Sequence, residues 1–116
     1  KRYDIIVFPY QYEENTYFIK RIIGLPGETV QIKGGYIFID GELLNAEDGL
    51  EQVSLAGRAD TPIKLEDNEY FLLGDNRDSS EDSRFPNIGN VKREQIQGKV
   101  WFRIFPLLKL DFIHSR

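Results

Sequence analysis

The sequence predicts an all-β domain of short antiparallel strands that coil into a barrel-like sheet. Segments of four to eight residues either alternate apolar with polar side chains or are rich in β-branched and aromatic residues. Turns containing glycine and proline separate these segments. The chain has 116 residues, 41% hydrophobic and 29% charged, which suits one domain with its own core. We therefore predict a single domain over residues 1–116.

The first half of the chain carries the clearest strand pattern. Pro9 ends the first strand because proline cannot donate to a sheet ladder. The Gly-Leu-Pro-Gly sequence at residues 24–27 breaks the second. Gly34-Gly35 and Asp40-Gly41 mark two tight turns. The strands predicted in this half lie at residues 4–8, 16–23, 29–33, 36–39 and 42–44.

The second half combines two strands with longer polar segments. Residues 45–61 are small and acidic with little periodicity, which predicts a surface excursion with at most one turn of helix. A short ordered segment at residues 63–65 precedes a strand at 69–73. The remaining predicted elements are a polar loop at residues 74–90, one helical turn at 91–96 and a last strand at 99–105.

Composition excludes several classes of function. Fifteen basic and nineteen acidic residues give a net charge of −4, and no basic stripe is present, so we expect no nucleic-acid partner. No apolar run approaches the ~20 residues of a membrane span. The absence of cysteine excludes disulfides, thiol catalysis and zinc sites of the cysteine type. We predict neither a metal nor a cofactor.

Lys20 is the first candidate site residue. Adjacent side chains on a strand point to opposite faces, so Lys20 shares its face with Phe18 and Ile22, and Arg21 lies on the other. An amine held against apolar side chains loses hydration, which lowers its pKa, and a neutral lysine is a general base. The alternative is an ordinary amphipathic strand whose lysine extends to solvent.

The polar loop after residue 73 is the second candidate site. It places acids, hydroxyls and two arginines directly after a predicted buried strand, where catalytic loops often lie. A calcium loop fits poorly, since Arg77 occupies a ligand position and no glycine stands at the sixth position. A solvated polar turn remains the alternative from composition.

Taken together, the two segments resemble the type I signal peptidases, serine–lysine peptidases that cleave signal peptides from exported proteins. Residues 20–27 read Lys-Arg-x-x-Gly-x-Pro-Gly, and residues 74–84 read Gly-Asp-Asn-Arg-x-x-Ser-x-Asp-Ser-Arg. Residues 3–8 are similar to that family's Gly-Asp-Ile-Val-Val-Phe strand, and residues 96–103 to the closing strand of its small, Gram-positive-type members. Two positions depart mildly from the family pattern: Tyr3 stands in place of glycine and Glu28 in place of aspartate.

The resemblance implies a role for each matching position. Lys20 matches the general base, and Ser80 the serine whose hydroxyl orients the lysine amine. Asp75 matches the acid that pairs with Arg21. Asp82 and Arg84 match an internal ion pair that stiffens the loop. The strand positions implied to line the small S1 and S3 pockets, which accept Ala-x-Ala-type cleavage sites, are Val7, Phe18 and Ile19.

The resemblance also implies a nucleophile that this sequence lacks. The family's serine lies in a Ser-Met-x-Pro-Thr-type box before the first strand, and the sequence contains no methionine. We therefore expect a fragment, incomplete at its N-terminus and inactive alone, whose parent is anchored by one membrane span on the extracytoplasmic side of the cell membrane. Its expected partners are the signal peptides of exported preproteins.

The missing segment carries a further expectation, and two other functions compete. We expect an open apolar face around Val7, Phe18 and Ile19, and an unpaired strand edge near residues 4–8, through which the chain self-associates. One alternative is a non-catalytic homologue that binds exported or surface-assembly proteins. A self-cleaving repressor-type Ser–Lys peptidase is a weaker alternative, because that group lacks the Gly-Asp-Asn-Arg loop.

Overall fold

Antiparallel strands dominate the structure, a computed structural model that describes residues 1–9, 17–44, 53, 55–75, 81–96 and 101–102. The elements are β1 (Ile5–Pro9), β2 (Tyr17–Gly24), β3 (Thr29–Lys33), β4 (Tyr36–Ile39), β5 (Glu42–Leu43), a 3₁₀-helix (Gly57–Asp60), β6 (Ile63–Lys64), β7 (Glu69–Leu73), β8 (Val91–Lys92), α1 (Arg93–Ile96) and β9 (Trp101–Phe102). The predicted all-β class is confirmed.

The strands form two sheets. The first has the order β8-β7-β2-β1-β9 and the second the order β5-β4-β3-β6. In the first sheet β2 lies between β1 and β7, and Arg21 pairs with Leu73. The loop that leaves β7 at Gly74 therefore begins beside Lys20, which positions the two candidate site segments next to each other.

Two apolar clusters fill the core. The larger joins both sheets, since it contains Ile23, Phe71 and Leu73 of the first and Val30 and Ile32 of the second. The smaller lies on the other face of the first sheet, where Leu25, Tyr70 and Ile88 pack against it; its buried members are Ile6, Phe18, Ile22, Leu72, Val91 and Ile96. The strands β2 and β7 are thus covered on both faces, which explains the nearly continuous apolar sequence of β2.

The prediction of a surface excursion at residues 45–61 is wrong at two positions. Val53 is 2% exposed and Ala59 fully buried, and both belong to the larger core cluster. The Val53 N–H donates to the Gly35 carbonyl at 2.8 Å, which fixes this point of the segment against the β3–β4 turn. A single apolar side chain in a polar segment gives no periodic signal. Residues 45–52 and 54 lie outside the described part of the chain.

Two predictions about strand pairing are also corrected. The helical turn expected at residues 91–96 begins at Arg93, because Val91 and Lys92 instead pair with β7 as a two-residue strand. Such a strand is too short to show alternation. The unpaired edge expected at β1 is wrong at Ile5 and Ile6, since β9 pairs with both.

Candidate active site

Lys20 lies at the centre of the first sheet on the face of the smaller core cluster. It pairs with Ile6 of β1, and alternation along β2 places it beside Phe18 and Ile22. Its side chain is 1% exposed, so the alternative of a lysine extended to solvent does not hold. Burial lowers the pKa of the Lys20 amine to about 7, against the opposing effect of the Asp82 and Glu81 carboxylates.

An aromatic ring forms part of the wall around this amine. The Lys20 Nζ lies 5.0 Å from the centroid of the Phe18 ring, within the range at which a ring face attracts a cation. This contact stabilises the ammonium form weakly, and the surrounding aliphatic side chains favour the neutral form. An amine that titrates near pH 7 in such a setting can accept and return a proton, as a general base requires.

The predicted ion pair between Arg21 and Asp75 is present. The Arg21 Nε and Nη2 each donate to one Asp75 carboxylate oxygen at 2.9 Å. The side chains are 28% and 36% exposed, so the pair lies at the surface rather than in the core. Arg21 lies on the opposite face of β2 and neutralises the Asp75 carboxylate, whose effect on the pKa of Lys20 is smaller than those of Asp82, Glu81 and Arg84.

Asp82 and Arg84 form a fully buried pair within the loop. Arg84 Nε and Nη2 donate to the two Asp82 carboxylate oxygens at 2.8 and 2.9 Å, and the side chains are at most 1% exposed. Asp82 also accepts from the Gly74 N–H at 3.1 Å. Ser83, between them, accepts from the Leu72 N–H through its Oγ and donates its own N–H to the Leu72 carbonyl. These bonds hold residues 82–84 of the loop against the end of β7.

The two positions that depart from the family pattern have local explanations. Tyr3 has a φ of 73°, in the left-handed region that favours glycine, and its carbonyl accepts from Arg21 Nη1 at 3.0 Å. Glu28 accepts two hydrogen bonds from Arg2 and one from the Leu25 N–H. Burial alone would raise the pKa of Glu28, but these hydrogen bonds outweigh it and hold the pKa below its usual range.

The three predicted pocket residues do not share one face of the sheet. Val7 and Ile19 are cross-strand partners on one face, and Phe18 lies with Lys20 on the other. Phe18 and Ile19 are each 2% exposed and Val7 is half-buried. The open apolar face expected here is therefore wrong at Phe18 and Ile19, because both are enclosed by the chain itself. Their role in substrate pockets stays a prediction.

Ser80 lies outside the described residues, so its predicted contact with Lys20 stays a prediction as well. Within the described part of the chain, no cluster of histidine, aspartate or glutamate could hold a metal ion. The same residues include no helix of the length and hydropathy needed to cross a membrane.

Arg58 is the site-adjacent residue that sequence reasoning missed. Its Nε donates to the Ser83 carbonyl at 2.8 Å, and its backbone N–H donates to the Arg84 carbonyl at 2.8 Å. The available signal was the Gly57-Arg58 dipeptide, in which a glycine permits close backbone approach beside a long cation. That signal is weak in a segment without periodicity.

Known protein families and solved structures include relatives of this chain. The sequence profile of the family described as signal peptidase, peptidase S26, matches residues 1–105. Signal peptidase I P of Bacillus subtilis subsp. natto is 38% identical over 113 residues, which cover 91% of this chain and 60% of that protein. Signal peptidase I of Leptolyngbya laminosa is 40% identical over 99 residues, which cover 83% of this chain and 45% of that protein. A crystal structure of a signal peptidase I from Enterococcus faecalis V583 aligns with a TM-score of 0.65 at 30% identity, covering 86% of this chain and 95% of that one.

The fold and the comparisons place the chain in a class of all-β domains found in a peptidase family. More specifically, the chain belongs to the signal peptidase family, peptidase S26. It spans about 60% of the length of the two Bacillus subtilis subsp. natto relatives it matches.

Proposed function

We propose that this chain is the extracytoplasmic catalytic region of a type I signal peptidase, a serine endopeptidase whose general base is Lys20. The observation that carries the proposal is a lysine amine, 1% exposed and with a pKa of about 7, within the part of the chain matched by the family profile. A domain that serves only to bind other proteins has no use for a buried amine, whose desolvation opposes folding. No described feature favours the non-catalytic alternative.

The proposed chemistry uses the neutral amine twice. Lys20 takes the proton from a serine hydroxyl as its oxygen attacks the carbonyl carbon of the scissile peptide bond, and the resulting ammonium gives that proton to the departing amine nitrogen. Lys20 then activates the water that hydrolyses the acyl ester. In this scheme Ser80 orients the amine. The Arg21–Asp75 and Asp82–Arg84 pairs fix the loop, and an arginine neutralises each of the two aspartates.

The nucleophile is proposed to come from a segment beyond these 116 residues. The sequence contains no methionine and hence no Ser-Met box. Ser83, the serine within the described part, is fully buried, and its Oγ is engaged by the Leu72 N–H. We therefore propose that the 116-residue chain is inactive by itself.

Substrate and location follow from the same proposal. Signal peptides with small residues at the cleavage site would bind along the first sheet at Val7, the half-buried member of the three predicted pocket residues. The reaction would take place at the extracytoplasmic membrane surface, to which an anchor outside these residues would hold the domain.

A cleavage assay tests the proposal. A longer form that carries a serine box ahead of Lys1 should cleave a preprotein at its signal peptide, and Lys20→Ala should reduce the rate by several orders of magnitude because the base is lost. Lys92→Ala, at an exposed position, is the matched control and should cleave normally. Cleavage by the isolated chain, or by the Lys20→Ala form at the normal rate, would refute the mechanism; binding of preproteins without cleavage by the longer form would favour the non-catalytic homologue.

A further inference from the structure

The segment before β6 packs directly behind the loop that faces Lys20. Arg84 Nη1 donates to the Leu55 carbonyl at 2.9 Å, and the Arg84 carbonyl accepts from the Arg58 N–H at 2.8 Å. Arg84 is therefore held on one side by Asp82 and on the other by the backbone of residues 55–58. Residues 55–58 lie outside the two segments, 20–27 and 74–84, on which the family resemblance rests.

The guanidinium of Arg58 extends this contact across the loop. Its Nε donates to the Ser83 carbonyl at 2.8 Å, and its Nη2 donates to the Asn90 side-chain carbonyl. The Asn90 amide in turn donates to Glu69, the first residue of β7, at 2.9 Å. The Arg58 guanidinium thus connects Ser83 with Asn90 at the end of the loop, and through Asn90 it is connected to β7.

Gly57 shows how closely the two segments approach. A Cβ added at residue 57 would lie 2.4 Å from the Arg84 carbonyl oxygen, and the φ of Gly57 is +60°. A Cβ–oxygen distance that short is not tolerated in folded proteins, so the 3₁₀-helix and the loop are in direct backbone contact. Displacement of residues 57–58 would therefore displace Ser83 and Arg84.

We propose that Arg58 is a positioning residue for Lys20, acting through the Asp82–Arg84 pair; this inference rests on the proposed function of Lys20 as the base. Among the described residues, the charged groups that act on Lys20 include Asp82, Glu81, Asp75 and Arg84, which belong to the loop. On the face of the sheet that Lys20 occupies, its described neighbours on β1 and β2 are the apolar residues Ile6, Phe18 and Ile22.

The direction of the effect follows from these charges. Burial lowers the pKa of Lys20, the carboxylates of Asp82 and Glu81 raise it, and Arg84 lowers it. If the loop loosens, water reaches the amine and Arg84 neutralises Asp82 less completely. Both changes favour the ammonium form, so loss of the Arg58 contacts should raise the pKa of Lys20.

The test is an NMR titration of the Lys20 side chain in protein labelled with ¹³C at the lysine Cε. Arg58→Ala should raise the midpoint by about one pH unit. Arg58→Lys keeps the charge but cannot donate to Ser83 and Asn90 together, so it should show most of the same shift. Arg93→Ala is the control, since Arg93 contacts Tyr70 and not the loop, and it should leave the midpoint unchanged.

The Lys20 midpoint in additional variants and the kinetics of the longer form separate a positioning role of Arg58 from a purely structural one. If Arg58→Ala does not fold, Arg58→Lys and Asn90→Ala, which removes one end of the fork, decide the question. A wild-type Lys20 midpoint in the folded variants would overturn the proposal even if their thermal stability fell. In the longer form, a shift of one unit should lower kcat/KM about tenfold below pH 7 with little change in KM. If Lys20→Ala cleaves normally, the proposed function fails, whereas the NMR midpoint still reports on the action of Arg58.

Discussion

At the scale of single residues, strand alternation predicts the apolar surroundings of Lys20, and burial of its charge carries a cost in folding free energy. Its position between Phe18 and Ile22 places it on an apolar face by strand alternation alone. Alternation does not predict how deeply Lys20 is buried, because that depends on the residues that pack against this face, among them Val91 and Ile96. Burial of a charged amine opposes folding. The same burial favours the neutral amine, which is the form that a general base requires, and it lowers the free energy of unfolding below neutral pH, where the amine is charged.

Replacing Lys20 by methionine tests that penalty through its pH dependence. The pKa of Lys20 is about 7 in the folded chain, against 10.5 for an ordinary lysine, so below pH 7 both states bind the proton and burial of the charge costs roughly 4–5 kcal/mol. Between pH 7 and about 10.5 only the unfolded chain is protonated, so the penalty declines as pH rises. Urea unfolding should therefore show Lys20→Met to be more stable than wild type at pH 6, with a smaller gain at pH 9.

An exposed lysine supplies the control for that measurement. Lys92→Met should change the free energy of unfolding little at either pH, since Lys92 is exposed. An equal gain from Lys20→Met at pH 6 and pH 9 would mean that packing, and not charge, determines the effect.

The two arginine–aspartate pairs make a second comparison at this scale. Asp82→Ala leaves Arg84 buried without its carboxylate and should lower the free energy of unfolding by roughly 3–5 kcal/mol. Asp75→Ala should cost less than about 1 kcal/mol, because water reaches both members of its pair. Thermal melts of both variants measure the contrast, and equal losses would show that burial does not distinguish the pairs.

At the scale of elements, the end of β2 at Gly24 packs closely against Val30 of the second sheet. The β2–β7 register shifts between Ile22 and Gly24, so one extra residue of β2 interrupts the pairing of the two strands just before Gly24. A Cβ at Gly24 would lie 2.6 Å from Val30 Cγ2 and 2.9 Å from Phe71 Cβ. The sequence predicted only a break at this position, although the glycine is also what permits the two sheets to approach.

Gly24→Ala should therefore be destabilising through overpacking, by about 2–3 kcal/mol. Gly27→Ala is the matched control: its φ is +83°, but an added Cβ would meet no atom within 4 Å, so it should cost only about 1 kcal/mol of backbone strain. Chemical denaturation gives both values. A loss at Gly24 no greater than at Gly27 would mean that the core yields to the extra methyl group.

The sequence predicted elements that are marked by turn residues and by alternation of apolar and polar side chains. It did not predict elements that form only through pairing with a distant strand. The β3–β4 hairpin was predicted at its observed bounds because Gly34-Gly35 and the flanking alternation are both local. The two residues of β8 acquire strand geometry only from their pairing with Glu69 and Tyr70. The burial of Val53 and the contacts of Arg58 likewise depend on segments distant in sequence.

At the scale of the whole molecule, the first sheet aligns the two halves of the candidate site. Pairing of Arg21 with Leu73 brings segments about fifty residues apart into register. Self-association of the chain remains a prediction, with less support than the sequence suggested, since Phe18 and Ile19 are buried and β9 covers part of β1. Sedimentation at increasing concentration measures it directly.

NMR titration of the Lys20 Cε in the wild-type chain shows whether Lys20 is a neutral base near physiological pH. The measurement needs no substrate and no nucleophile. We predict a midpoint at a pH of about 7, because burial outweighs the nearby carboxylates. A midpoint near 10.5, the ordinary value for lysine, would mean that Lys20 is protonated at neutral pH and does not serve as the base.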